Sequence, residues 1–289
     1  MVIKLPRFPY LVQKAIFGVM DHEDLFFISL CSKKMKNLVK SVQKVSFNSI
    51  EYIVYKIMDD GMRVDAVGKD YVEKFIISMY PKTHQQMSGI ESNEIKQMEA
   101  VVLYDPLQGE KEAEFINNHI LDLFGSDKEY RLETLYLVTV NTRFLKKLKN
   151  ITITEFNLYD TSHVEGWEEY FSASPNQTFL TGEISLSGKF EDDSKFYQTD
   201  TIEIFEDTSI SSEILKNFEG QKAYLSCEKV DNSDIIQLMK RWKSNEAFQN
   251  LEYLTVKFQN NDLFDANEIK NACEVKLTSK NAPVYQVDN

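Results

Sequence analysis

The sequence predicts a mixed α+β or α/β protein: three short helices at the N-terminus, then an irregular, repeat-like β/α domain. Three observations predict it. Apolar positions recur at helical spacing through the first 45 residues, a strand-like apolar pattern returns at intervals through the remainder, and the charge divides along the same line. Residues 1–45 carry eight Lys/Arg against three Asp/Glu, a net of +5; residues 46–289 carry 25 against 42, a net of −17. The expected domains are therefore 1–45, a basic helical docking segment, and 46–289, an acidic β/α body.

Each opening helix has its own start signal. Pro6 and Pro9 suit a helix start and not a helix interior, and from Tyr10 the positions Leu11, Val12, Ile16, Phe17 and Met20 follow helical spacing. Asp21-His22-Glu23-Asp24 supplies an N-cap and first-turn acids for a second helix through Leu25, Phe26, Ile28 and Leu30. Ser32 caps a third, with Met35, Leu38, Val39 and Val42 on one side and Lys33, Lys34, Lys36 and Lys40 on the other. Three helices in so few residues cannot bury all of this apolar surface among themselves, because cores below about 70 residues are marginal. Some of it must meet another surface, and the lysines are placed to steer an acidic one.

Leu5-Pro6, Leu11-Val12, Ile16-Phe17, Met20, Asp24-Leu25, Ile28, Leu30-Cys31-Ser32-Lys33 and Leu38-Val39 together resemble the F-box motif over residues 3–44, in both order and spacing. Met35-Lys36 departs from it, where many F-boxes carry an aromatic residue. The resemblance implies docking onto a Skp-type linker protein and, through it, a cullin ubiquitin ligase. It places linker contacts at Leu5, Pro6, Leu11, Ile16, Leu25, Leu30, Ser32 and Lys33. Two other readings of these helices are a cap on the following domain and a DNA-reading helix-turn-helix. The second is disfavoured because the lysines lack Arg, Asn or Gln partners suited to base edges.

In the body, Tyr52–Ile57 followed by Asp59-Asp60-Gly61-Met62 signals a hairpin, and Thr83–Asn93 reads as a loop. An apolar slot, two spacers, an apolar residue, one spacer and another apolar residue then recur. The clearest copies are Met98-Val101-Leu103, Leu132-Leu135-Leu137, Leu148-Ile151-Ile153, Leu251-Leu254-Val256 and Ala272-Val275-Leu277. Asn141, Asn157 and Asn260 stand near the expected bends, and helical stretches fall at Glu112–Phe124, Val164–Phe171, Ser212–Phe218 and Ser233–Trp242. This is close to the leucine-rich-repeat pattern, in an irregular form. Residues 141–171 and 238–256 resemble the F-box-associated type 2 domain of a family expanded in nematodes, over about 130–258. That resemblance implies a module that recruits a protein target.

No enzyme signature is present: no G-x-S-x-G, G-x-x-x-x-G-K-[ST], G-x-G-x-x-G or H-E-x-x-H occurs. His22, His84, His119 and His163 are isolated, and Asp59-Asp60, Glu168-Glu169 and Glu191-Asp192-Asp193 read as solvated acidic runs. Neither a metal site nor a cofactor is expected; Cys31, Cys227 and Cys273 are scattered and form no C-x-x-C pair. The acidic majority argues against nucleic acid as a partner, and no apolar run reaches 18 residues to span a membrane. The opening residues lack the apolar core of a signal peptide, so the expected location is cytoplasmic or nuclear.

The expectation is a non-enzymatic substrate-recognition adaptor of an SCF-type ligase. The competing expectation is a solenoid-like binding module without a ligase. Strand alternation nominates Tyr136, Val138, Thr152, Thr154, Phe205, Thr255 and Lys257 as outward-facing positions for contact with a protein target.

Overall fold

The computed structural model describes residues 5–58, 61–82, 101–105, 107–134, 142–157, 162–184, 186–207, 210–227, 230–258, 265–274, 276–277 and 285–286. The chain forms two compact units: Met1–Leu135 with Val140–Ile153, and Tyr136–Thr139 with Thr154–Asn289. The opening helices share the first unit with the strands after them.

The first unit opens with a 3-10 turn, Leu5–Arg7, and four helices: α1 (Tyr10–Phe17), α2 (His22–Leu30), α3 (Lys33–Val42) and α4 (Lys44–Asn48). The three expected helices are present where their start signals placed them. The Ser32 hydroxyl caps α3 by accepting from the Met35 N–H at 3.2 Å. Strands β1 (Ile50–Met58) and β2 (Gly61–Gly68) form the hairpin expected around Gly61, with Met58 opposite Gly61. With β3 (Glu73–Pro81), β4 (Val101–Tyr104) and β5 (Glu129–Thr134) they make a mixed sheet in the order β5-β1-β2-β3-β4. β1 and β2, and β2 and β3, run antiparallel; β1 with β5, and β3 with β4, run parallel. Helix α5 (Gly109–Phe124) links β4 to β5 and buries Ala113, Ile116, Ile120, Leu123 and Phe124 at helical spacing. A 3-10 turn, Thr142–Lys147, packs on it through Phe144 and Leu145.

The second unit has a different plan. Strands β6 (Ile153–Asn157), β8 (Phe179–Glu183), β10 (Thr201–Asp207), β11 (Lys222–Cys227) and β12 (Tyr253–Phe258) follow one another across the sheet in chain order. The β8–β10, β10–β11 and β11–β12 pairs are parallel. Short β7 (Ser162–His163) pairs with β9 (Leu186–Ser187), and β13 (Lys276–Leu277) with β14 (Tyr285–Gln286). Parallel neighbours need crossovers, and α6 (Val164–Ala173), α7 (Ser211–Asn217), α8 (Asn232–Lys243) and α9 (Ala266–Cys273) stand among the strands; α6, α7 and α8, with α5 of the first unit, lie close to the four helical stretches expected, whereas no helix was expected at α9. Asp231 begins α8 with a capping box, accepting from the Ser233 and Asp234 N–H groups while the Asp234 carboxylate accepts from the Asp231 N–H.

An aromatic cluster holds the centre of this unit. Trp167 meets Phe156 edge-on at 4.6 Å, and Phe190 stacks on Phe196 at 4.4 Å. Beside it, three buried side chains close a ring of hydrogen bonds. The Gln177 amide donates to the Tyr170 hydroxyl at 3.4 Å, that hydroxyl meets Thr154 Oγ1 at 2.7 Å, and Thr154 donates to Gln177 Oε1 at 2.8 Å. Burial pushes the Tyr170 phenol well above its usual range, so it stays neutral and serves only as a hydrogen-bonding group.

The repeat pattern meets these strands unevenly. Leu148, Ile151 and Leu251 are buried just ahead of β6 and β12, whereas Leu132 lies inside β5. Leu137, Asn141, Asn260, Met98 and the Thr83–Asn93 loop lie outside the described residues.

Candidate functional site

The candidate site is built on α1–α3. Pro9, with φ −54° and ψ 145°, leads α1, as its fixed φ allows. Gln13 turns inward, and its amide donates to the carbonyls of Phe8 (2.8 Å) and Leu5 (3.3 Å), fastening the opening turn to the helix. The Gln43 amide donates to the Phe17 carbonyl and ties the end of α3 back to α1.

One side of this helical group is sealed within the first unit. Phe17, Leu25, Phe26, Val39, Val42 and Phe47 are buried, and α2 packs on β3. His22 lies with its ring nearly parallel to Phe124 at 6.3 Å and tilted against Phe47 at 6.2 Å. Burial, reinforced by the nearby Lys74 charge, lowers its pKa to about 4. The Ser29 hydroxyl donates to the Phe26 carbonyl at 2.6 Å and meets His119 Nε2 at 2.6 Å; with its proton so placed, Ser29 accepts from His119. Burial, then the Lys36 charge, holds the His119 pKa below the usual histidine range. Lys36 and Lys40 both donate to the Asp122 carboxylate, whose pKa these bonds lower to about 2. The two lysines are therefore engaged by α5, whereas Lys14, Lys33, Lys34 and Lys44 face solvent.

Apolar side chains of α1 and its flanks are also left open to solvent, with Lys14 exposed among them. Leu11 is 77% exposed and Val19 86% exposed, with Phe8, Tyr10 and Val12 also exposed around them. Side chains of this kind clustered on one helix and its flanks are the mark of an interaction surface. The comparison with known families agrees. Residues 5–47 match the F-box domain. An F-box domain points generally to an SCF substrate-adaptor role, and F-box domains typically bind Skp-type linkers in those complexes. No curated protein matches the chain, and no solved structure matches it.

Within the F-box, the expected linker contacts divide. Leu11, Ser32 and Lys33 are exposed, and Leu5, Ile16 and Leu30 are half-buried; the Pro6 side chain lies outside the described residues. Leu25 is a correction: at 1% exposure it belongs to the core, because α2 turns that face towards β3. Sequence reasoning left Tyr10, Val12, Val19 and Phe8 unassigned. The available signal was the run Tyr10-Leu11-Val12, since three consecutive apolar residues of a helix cannot all face inward.

The expected target contacts divide as well. Tyr136 and Val138 lie outside the described residues. Thr154 is a second correction: it is fully buried in the Tyr170–Gln177 ring, because Thr154 and Phe156 point inward along β6 while Glu155 points out. The expected alternation there was one residue out of step, which exchanges the faces of a strand. Thr152 is half-buried and donates its N–H to the Tyr130 carbonyl at 2.9 Å. Phe205 and Lys257 are exposed and Thr255 is half-buried.

Among the described residues, no three His, Cys, Asp or Glu side chains are grouped to hold a metal ion, and no helix is long and apolar enough to cross a membrane. His163 meets the Ser187 hydroxyl at 2.9 Å; His84 lies outside the described residues.

Proposed function

We propose that this chain is a non-enzymatic substrate-recognition adaptor of an SCF-type cullin ubiquitin ligase, acting in the cytoplasm or nucleus. The exposed apolar surface of α1 and its flanks docks onto the Skp-type linker, and the second unit recruits a protein target. The observation that carries this reading is the division of the F-box into a sealed side and an open side. Leu25 and Phe26 are internal, while Leu11 and Val19 are left to solvent on a matched F-box domain. The adaptor contributes proximity, bringing target and conjugating enzyme together without itself reacting.

The parallel strands of the second unit, adjacent in chain order with helices among them, support an irregular leucine-rich-repeat-like reading of the target module. The resemblance of residues 141–171 and 238–256 to the F-box-associated type 2 domain supports the same role. The test is capture of the full chain by purified Skp-type linker, alone and with the cullin. Stoichiometric capture that brings the cullin with it is the expected result, and no capture at micromolar concentrations would refute the reading.

A further inference from the structure

The faces of the parallel sheet in the second unit differ in kind. Ile202, Ile204 and Leu225 point to one side and are fully buried. The intervening residues point to the other side, which is polar and aromatic; Glu183, Phe205 and Lys222 are exposed there, while Glu203 and Tyr224 are half-buried. On it, Glu203 stands opposite Tyr224 across β10–β11, and Phe205 stands opposite Glu183 across β10–β8. Phe205 is 37% exposed, and its ring leans against Tyr224 at a centroid distance of 5.6 Å. The charges around this pair are sorted. The acids Glu183 and Glu203 lie on β8 and β10, and the bases Lys222 and Lys257 on β11 and β12, with Lys222 drawn to Glu252 at 4.0 Å just ahead of β12.

We propose that this face binds an extended polypeptide segment in which an apolar side chain sits between a basic stretch and an acidic stretch. The proposal rests on the adaptor reading and names the kind of target it takes. Charge complementarity sets the occupant: basic residues of the segment lie over Glu183 and Glu203, an acidic residue over Lys257, and the apolar residue packs on Phe205 and Tyr224. Size points the same way. Four strands about 4.8 Å apart and five to seven residues long present roughly 300 Å², which accommodates one extended segment. A second folded copy needs about 800 Å² per partner for a stable interface. Nucleic acid is disfavoured because the acids on β8 and β10 would repel phosphates.

The test is selection from a randomised decapeptide display library on the immobilised full chain, repeated on Phe205→Ala and Glu203→Lys. Wild type is expected to enrich peptides with an apolar residue between basic and acidic blocks. Those peptides should bind Phe205→Ala at least about tenfold more weakly, as loss of an interface anchor does, and Glu203→Lys about two- to fivefold more weakly. Glu203→Lys should also gain affinity for acidic peptides, which a purely structural role of Glu203 would not produce. Both variants should melt as wild type does and keep full capture by the linker, so that failure here is separable from failure of the adaptor reading. No enrichment over bare support, enrichment of single-sign peptides, unchanged binding to Phe205→Ala, or a dimer that buries Phe205 would each overturn the proposal.

Discussion

Replacing Thr154 by Val keeps the shape of the side chain and removes its hydroxyl from the buried ring. Gln177 Oε1 loses its 2.8 Å donor, and the Tyr170 hydroxyl loses its 2.7 Å partner while keeping the Gln177 amide at 3.4 Å. Removing one member of a buried hydrogen-bonded set costs about 1–3 kcal/mol per group left short, and the added methyl returns about 1 kcal/mol. A net loss of about 2 kcal/mol follows. Both tryptophans, Trp167 and Trp242, lie in the second unit, so their fluorescence reports that unit's transition. With a urea slope of about 2–3 kcal/mol/M, the midpoint should fall by roughly 0.7–1 M at unchanged slope. A shift under about 0.2 M, or a gain, would mean that Thr154 is not the hinge of that ring.

Three further outcomes follow from the packing. His22, held at about 4 against 6.5 when unfolded, is buried neutral, so its contribution is complete above pH 6.5 and is lost as the pH falls towards 4. Between pH 7 and pH 5 the chain should lose about 2 kcal/mol in urea titrations, and His22→Phe should remove most of that loss. Gly182→Ala should destabilise the second unit by about 2–4 kcal/mol in the same assay. Gly182 sits at φ +132°, and a Cβ there would collide with the Phe156 carbonyl oxygen. Asp122→Ala should cost only about 0.5–1 kcal/mol and less in high salt, because its carboxylate is partly exposed and solvent screens the Lys36 and Lys40 pairs. What stability Asp122 does add is present above the usual carboxylate range and disappears as the pH falls through about 2, a window separate from that of His22.

Several local signals in the sequence are matched by local chemistry, although Asp21, at the N-cap of α2, makes no side-chain capping hydrogen bond. Ser32 and Pro9 start helices by satisfying or lacking nearby backbone groups, and Met58 pairs with Gly61 across a two-residue connection. The order of the F-box residues was equally legible, because apolar type and spacing define that motif. What it could not convey was which side of a helix is covered. Leu25 and Leu11 are both motif leucines, yet Leu25 packs towards β3 and Leu11 towards solvent, a choice made by strands far along the chain. Lys36 and Lys40 likewise read as a free basic face until Asp122, more than 80 residues on, engages them. Thr154 failed for a different reason. Alternation with Ile151 and Ile153 places it outward, but β6 turns Thr154 and Phe156 inward, and Tyr170 and Gln177 supply the partners that let the threonine face in.

On the proposed function, the open side of the F-box, and not its sealed side, grips the linker. Titration calorimetry of purified Skp-type linker with wild type and with Leu11→Lys tests it directly, since Leu11 is 77% exposed and outside the core. The account predicts an unchanged melting temperature and a loss of affinity of at least about thirtyfold, as expected when a contact worth about 2 kcal/mol is removed. Equal affinity for the two proteins would contradict it.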